Sequence, residues 1–246
     1  MNVEGSVVLL TGANGGIGRA FVRELLNRGA AKIYLGARNT DSLRDLLTES
    51  NKLVGLQLDV TDPQQVARAA EVAADIDLLI NNAGAAVFTG ALSASDTSGA
   101  RAEMEVNYFG VLALSQALRN TPAFRSGGAI INILSILSHV TLPVAGTYSA
   151  SKAAALALTR TMRAELKARG VQVLGVLPVQ TDTALGAPLP EPKLTPAEVA
   201  VDALNALTAG QDEVFPGELS RKTAQAFADD PAGVQAFMAN LVHSID

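Results

Sequence analysis

The sequence contains no cysteine and no tryptophan, and its 246 residues include only two histidines, His139 and His243. Without cysteine there is no disulfide, iron–sulfur cluster, thiolate zinc site or cysteine nucleophile. Two histidines are too few for a histidine-rich metal site, and no metal is expected. Excess charge of either sign is also missing: 19 Lys+Arg against 24 Asp+Glu leaves a net charge of −5. Neither nucleic acid nor an anionic lipid surface is therefore expected as a partner. No apolar run approaches the length of a membrane span, and Met1–Ser6 has no basic region of a signal peptide. The expectation is a soluble, cytoplasmic protein. What remains is apolar: 48% of the residues are hydrophobic and 17% charged, a balance that excludes a disordered chain. A chain this long buries enough surface to need no staples, and its length allows one domain or two.

Short apolar runs alternate with amphipathic stretches along the chain. Strands are expected at 7–11, 32–37, 53–59, 77–81, 128–134 and 171–177, with a last one at 213–216. Helices are expected at 19–28, 41–50, about 62–74, 99–119, 148–169 and 195–209. Thr61-Asp62-Pro63-Gln64 and Thr195-Pro196-Ala197-Glu198 have capping-box spacing, and Gly29 is placed to end the first helix. Strands rich in Val, Ile and Leu, each followed by a helix, predict an α/β fold: a single doubly wound Rossmann domain with a parallel sheet of about seven strands and helices on both faces. Residues 1–90 form the cofactor half of this single domain, 1–246, and residues 91–246 the catalytic and substrate half. The segment 184–194, with Pro188, Pro190 and Pro192, reads as a loop beside the ligand edge of the sheet.

Thr11-Gly12-Ala13-Asn14-Gly15-Gly16-Ile17-Gly18 joins the first strand to the first helix. Glycines here let the backbone turn sharply, approach a pyrophosphate and present helix N–H groups to it. A dinucleotide enzyme selective for NAD places an acid about 20 residues further on. The strand end reads Leu35-Gly36-Ala37-Arg38-Asn39, with no acid, and a guanidinium there suits a 2′-phosphate. NADP(H) is therefore the expected cofactor. In Tyr148-Ser149-Ala150-Ser151-Lys152, the tyrosine and lysine share a helix face. A nearby ammonium is expected to lower the tyrosine pKa and fit it for proton transfer with a ketone or alcohol.

Taken together these motifs resemble the short-chain dehydrogenase/reductase family, over nearly the whole chain. The glycine turn is similar to the family's TGxxxGxG, Asp59-Val60 to its adenine-contacting pair, and Asn81-Asn82-Ala83-Gly84 to its NNAG turn. Asn107 falls on its active-site asparagine, Ser135 has its spacing 13 residues before Tyr148, and Pro178 to Thr183 resembles its PGxxxT segment. The resemblance implies that Ser135 bonds the substrate carbonyl and Tyr148 gives the proton. It implies that Lys152 tunes the tyrosine and holds the nicotinamide ribose, and that Asn107 supports a water reaching Lys152. Gly12, Asn14, Gly16, Ile17, Gly18, Arg38, Asp59, Val60, Asn81, Ala83, Gly84, Tyr148, Lys152, Pro178, Thr181 and Thr183 are the implied cofactor contacts.

The implied activity is NADPH-dependent reduction of ketones and aldehydes, by a homodimer or homotetramer. The alternatives are an NAD-linked alcohol or sugar dehydrogenase and a dinucleotide-sensing regulator on the same fold. Three departures stand out. Val179 replaces a glycine of PGxxxT, where its isopropyl group is expected to face the substrate. Leu134 replaces one of two usual serines, and Phe215-Pro216-Gly217 stands where a Gly-Gly ending is common. The expected pocket walls, Leu137, His139, Leu142, Val144, Val179 and Leu185, are mostly apolar and suit apolar or aryl ketones.

Overall fold

A computed structural model of the chain describes residues 1–240; residues 241–246, His243 among them, lie outside it. The strands are β1 (Val7–Thr11), β2 (Lys32–Ala37), β3 (Leu53–Gln57), β4 (Leu78–Asn81), β5 (Ala129–Ile133), β6 (Gln172–Val176) and β7 (Glu213–Val214). The helices are α1 (Gly16–Asn27), α2 (Arg44–Leu47), α3 (Pro63–Val72), α4 (Ser98–Met104), α5 (Val111–Ala117), α6 (Gly146–Leu166), α7 (Pro196–Thr208), α8 (Gly217–Asp229) and α9 (Pro231–Asn240). All seven strands join one parallel sheet in the order β3-β2-β1-β4-β5-β6-β7. This is the expected doubly wound Rossmann architecture.

Successive side chains of a strand point to opposite faces, so each strand feeds two cores. From β1, Val8 and Leu10 meet Phe21, Val22 and Leu25 of α1 and Val199, Ala203 and Leu204 of α7. Leu9, between them, joins Val66 of α3, Leu114 of α5 and Leu158 and Met162 of α6 on the other face. Continuously apolar strands thus need helices on both sides. The strand order reverses between β1 and β4, and there the loops part to leave a crevice at the C-terminal edge.

The local stops and starts mostly follow the sequence. The expected capping box at Thr195 is present: its hydroxyl accepts from Glu198 N at 3.2 Å, while the Glu198 carboxylate accepts from Thr195 N at 2.8 Å. At Gly29 the two backbone bonds Gly29 N–Leu26 O and Ala30 N–Leu25 O close α1.

Some expectations are corrected. Asp62, not Thr61, caps α3, accepting from Gln64 N at 2.8 Å, because a carboxylate is the better partner for orphan N–H groups and the helix dipole. The helix expected at 41–50 shrinks to a tight turn, Thr40–Leu43, followed by α2. Ser42 and Thr48 hydroxyls donate there to the Asn39 and Asp45 carbonyls, local bonds that compete with helix propagation. The helix expected over 99–119 runs from α4 through a widened π turn at Glu105–Gly110 into α5. In the C-terminal part, α8 and α9 went unanticipated: α8 is amphipathic but buries only Gly217 and Ser220, and α9 buries no residue and has only a weak hydrophobic period.

Candidate active site

Every strand of a parallel sheet ends on the same edge, so the singled-out residues converge there. Register pairs Thr11 with Gly36 and Ile80 with Leu10. The glycine turn after β1, Arg38 after β2 and the Asn82-Ala83-Gly84 turn after β4 are therefore neighbours.

The turn is held by side chains that the sequence reading did not single out. Thr11 Oγ1 accepts from Asn82 N at 2.9 Å and Ala83 N at 3.0 Å. The Asn82 amide donates to the Thr11 and Gly12 carbonyls at 2.9 and 3.0 Å. Arg19 Nε donates to Asn14 O from α1, leaving the exposed Asn14 side chain at the turn's surface. The only available signal was that Thr11 and Asn82 lie inside motifs quoted for other residues. Close approach explains three of the glycines. Gly12 has φ +62°, and a Cβ there would meet Ala83 Cα at 3.0 Å. A Cβ on Gly18 would fall 2.3 Å from Gly12 O. A Cβ on Gly16 would come within 2.7 Å of Thr183 Cγ2, so the segment after β6 closes over the turn. Ile17 is half-buried against the α1 side of the core.

The remaining expected cofactor contacts divide by what their side chains already do. Arg38 is exposed and, among the described residues, has no acidic partner within 4 Å. Asp59 accepts from the Thr61 backbone and hydroxyl, at 2.9 and 2.7 Å. Val60 packs in the second core, against Gly110. The Asn81 side chain turns inward, donating to Asn132 Oδ1 at 2.8 Å, while Asn132 donates to Thr159 Oγ1 at 2.9 Å. That buried relay satisfies polar groups between sheet and α6 and removes the Asn81 side chain from the crevice. Pro178 is buried, its carbonyl accepting from Ile136 N. Thr181 and Thr183 donate to the Val179 and Thr181 carbonyls within their own loop.

Ser135, Tyr148, Lys152 and Asn107 come together from β5, α6 and the π turn. Ser135 is almost buried, and its Oγ accepts from Leu137 N at 3.1 Å. Lys152 is 5% exposed and donates through Nζ to Ile133 O at 2.9 Å. A Cβ on Gly84 would stand 3.4 Å from Asn107 Oδ1 and 3.7 Å from Lys152 Nζ, which ties the turn after β4 to both. The Asn107 amide donates to Ala85 O and Ser151 Oγ at 2.8 and 2.9 Å, and its Oδ1 accepts from Ala85 N at 3.0 Å. Both Asn107 amide hydrogens are spent locking that turn to α6.

The tyrosine departs from expectation as well. Lys152 Nζ lies 5.8 Å from the Tyr148 ring centre and does not pull the phenol down. Burial pushes the Tyr148 phenol well above its ordinary value; the Ser135 hydroxyl beside it pulls down, and the Glu103 charge pushes further up. Burial also lowers the Lys152 ammonium to about 8. Desolvation disfavours phenolate and ammonium alike.

Of the expected pocket walls, Leu137, Leu142 and Val144 are half-buried and Leu185 is exposed. His139 stacks between Phe215 and Phe227, with ring centres 6.3 and 5.7 Å away. The Val179 side chain packs in the core, and its N–H donates to Ser220 Oγ of α8 at 3.1 Å. Its isopropyl group is buried in the core, and α8 holds this backbone beside it. Phe88, which the sequence did not mark, lies with its ring centre 6.1 Å from that of Tyr148.

Comparison with known proteins matches this fold. A family model described as short chain dehydrogenase matches residues 6–193. A short chain dehydrogenase from Burkholderia cenocepacia, solved in complex with NADP, superposes with a TM-score of 0.91 at 44% identity, covering 97% of this chain and 99% of that one. The rat dehydrogenase/reductase SDR family member 7B is 32% identical over 234 residues, which cover 89% of this chain and 66% of that protein's length. An uncharacterized oxidoreductase of Staphylococcus aureus is 33% identical over 213 residues, covering 82% of this chain and 90% of that protein.

Proposed function

The chain belongs to the short chain dehydrogenase family, and from that premise we propose that it is an NADPH-dependent reductase of ketones and aldehydes. The observation that carries the reading is the convergence of Ser135, Tyr148 and Lys152 beside a glycine cradle that added Cβ atoms would fill. That turn suits a dinucleotide: Gly12, Gly16 and Gly18 let the backbone fold tightly against Ala83, Ala13 and Thr183, so that the α1 N-terminus can face a pyrophosphate. Arg38, exposed and unpaired among the described residues, suits a 2′-phosphate. The Burkholderia relative's complex with NADP supports the same choice. When bound, the nicotinamide supplies the hydride.

The chain's own residues handle the oxygen and its proton. Ser135 Oγ bonds the carbonyl oxygen, and Tyr148 Oη gives it a proton. Burial keeps Tyr148 in the phenol form at neutral pH, which is the form that donates. Lys152, fixed by Ile133 O, meets the ribose. Asn107 locks the turn after β4. Leu137, Leu142, Val144 and Phe88 make the substrate surroundings apolar and favour alkyl or aryl carbonyls.

The test is a panel of ketones, aldehydes and alcohols with NADPH and NADH, run on the wild type and on Arg38→Asp. We expect apolar ketones with NADPH to give the highest kcat/KM. Arg38→Asp should cost about 10- to 100-fold with NADPH, the worth of one or two charge-assisted hydrogen bonds, and reverse the cofactor preference. Absence of turnover with every carbonyl, or an unchanged cofactor ratio in the variant, would overturn the corresponding part.

A further inference from the structure

Glu103 lies on α4, where nothing in the reaction described above calls for an acid. Its side chain is completely buried. One oxygen accepts from Val87 N at 2.8 Å; the other, Oε2, has no hydrogen-bond partner. Burying a carboxylate with half its capacity unmet is expensive, and an apolar residue would pack there without that cost. Such a group calls for an explanation beyond packing.

The surroundings point to Tyr148. α4 packs on α6, which carries the tyrosine, and the Thr147 hydroxyl next to it in sequence is likewise buried and unpartnered. Val87, held by Glu103, packs so closely on Gly99 of α4 that a Cβ there would meet it at 3.3 Å. The next residue, Phe88, is the one non-glycine of the described residues with positive φ, at 54°. A bulky residue adopts that conformation only where its surroundings hold it. Its ring centre lies 6.1 Å from that of Tyr148, the two rings tilted by 44°. Lys152 on α6, the Ser135 hydroxyl after β5 and Glu103 on α4 act on or lie near the phenol, and the loop after β4 brings Phe88 beside it. Among the described residues no ion pair within 4 Å joins Lys152 to Glu103, and Lys152 Nζ donates instead to Ile133 O.

We propose that Glu103 is a positioning residue for the proton donor: anchored on Val87 N–H, it holds Phe88 beside Tyr148 and places an acidic side chain on the helix packed against α6, favouring the protonated tyrosine and carbonyl reduction. Its first role is steric and belongs to Oε1. Its second is electrostatic, and it is consistent with the upward push that Glu103 exerts on the phenol. In a low-dielectric interior such a charge acts over distance without touching the reacting atoms.

This inference rests on Tyr148 as proton donor, and the experiment separates the two. Glu103→Gln keeps an oxygen for Val87 N–H and removes the charge; Glu103→Met removes charge and polar atoms together. Alcohol oxidation requires the phenolate, so its pH profile reports the tyrosine directly. In both variants the rising limb should move to lower pH by about half to one unit, so that oxidation at a fixed pH below the limb rises about 3- to 10-fold. The onset of alkaline phenolate absorbance, measured without nucleotide and corrected with Tyr148→Phe, should move the same way. In Glu103→Met, which also loses the anchor on Val87, KM for the ketone should rise more than in Glu103→Gln. Profiles and onset unchanged in both variants would overturn the proposal. Tyr148→Phe retaining near-normal turnover would overturn instead the reading of the donor, whatever the Glu103 variants do.

Discussion

At the scale of single residues, the site is governed by desolvation rather than by the simple pairing of charges. Tyr148 and Lys152 sit one helical turn apart, yet the ammonium donates to Ile133 O and the phenol is pushed up. The lysine shift has a consequence for stability. Its folded value is about 8 against an ordinary 10.5, so between those values the unfolded chain binds more protons than the folded one. Stability should therefore rise with pH across that window; the penalty is fully present below about pH 8. Its full size is ~3 kcal/mol for a side chain this buried. Above about pH 10 the raised Tyr148 acts in the opposite sense, because the unfolded tyrosine ionises first. Denaturant titrations at pH 7.0 and 9.5 should show the wild type gaining stability relative to Lys152→Met. A pH-independent difference would contradict the assigned burial. The residue types of this site were legible in the sequence; the direction of its pKa values was not, since burial depends on what α4 and the loop after β4 place over the ring.

At the scale of elements, local chemistry set the boundaries wherever it was strong. Thr195 and Glu198 make the reciprocal cap their spacing announced, and Gly29 closes α1. The start of α3 shows a finer competition. Thr61 and Asp62 both qualify, and the carboxylate takes the backbone N–H groups while the threonine hydroxyl donates to Asp59. Asp62→Ala should therefore cost about 1 kcal/mol, whereas Thr61→Ala should cost less; urea unfolding of the two variants checks this. The π turn at Glu105–Gly110 was not visible in the hydrophobic pattern, because one extra residue in a turn leaves the apolar spacing nearly intact. Its effect is local and large: it carries Asn107, whose amide binds both the turn after β4 and Ser151 of α6.

At the scale of the whole molecule, the catalytic edge depends on elements distant in sequence. Ser220 of α8 is fully buried and accepts from the Val179 N–H, fixing the segment that follows β6. Gln235 of α9 brackets Thr141, accepting from its N–H and donating to its carbonyl, each at 2.9 Å, beside the loop that leads to Tyr148. The C-terminal helices thus brace the substrate side of the site, although they bury little apolar surface. Ser220→Ala leaves a buried N–H without an acceptor and should cost about 1–3 kcal/mol. Calorimetry measures that loss; a variant as stable as the wild type would show that α8 does not hold this segment.

The sequence by itself determined the alternation of strand and helix, the two-faced sheet and the identity of the glycine turn, Ser135, Tyr148 and Lys152. Those features are local or periodic: apolar spacing, capping residues and glycines leave their marks within a few positions of where they act. Tertiary structure decided what the same residues do. It turned Asn81 inward to Asn132, committed Asn107 to Ala85 and Ser151, buried Val179 under α8 and anchored Val87 on the buried Glu103. Each of those outcomes depends on a partner dozens of residues away, and on the low dielectric that packing creates around it.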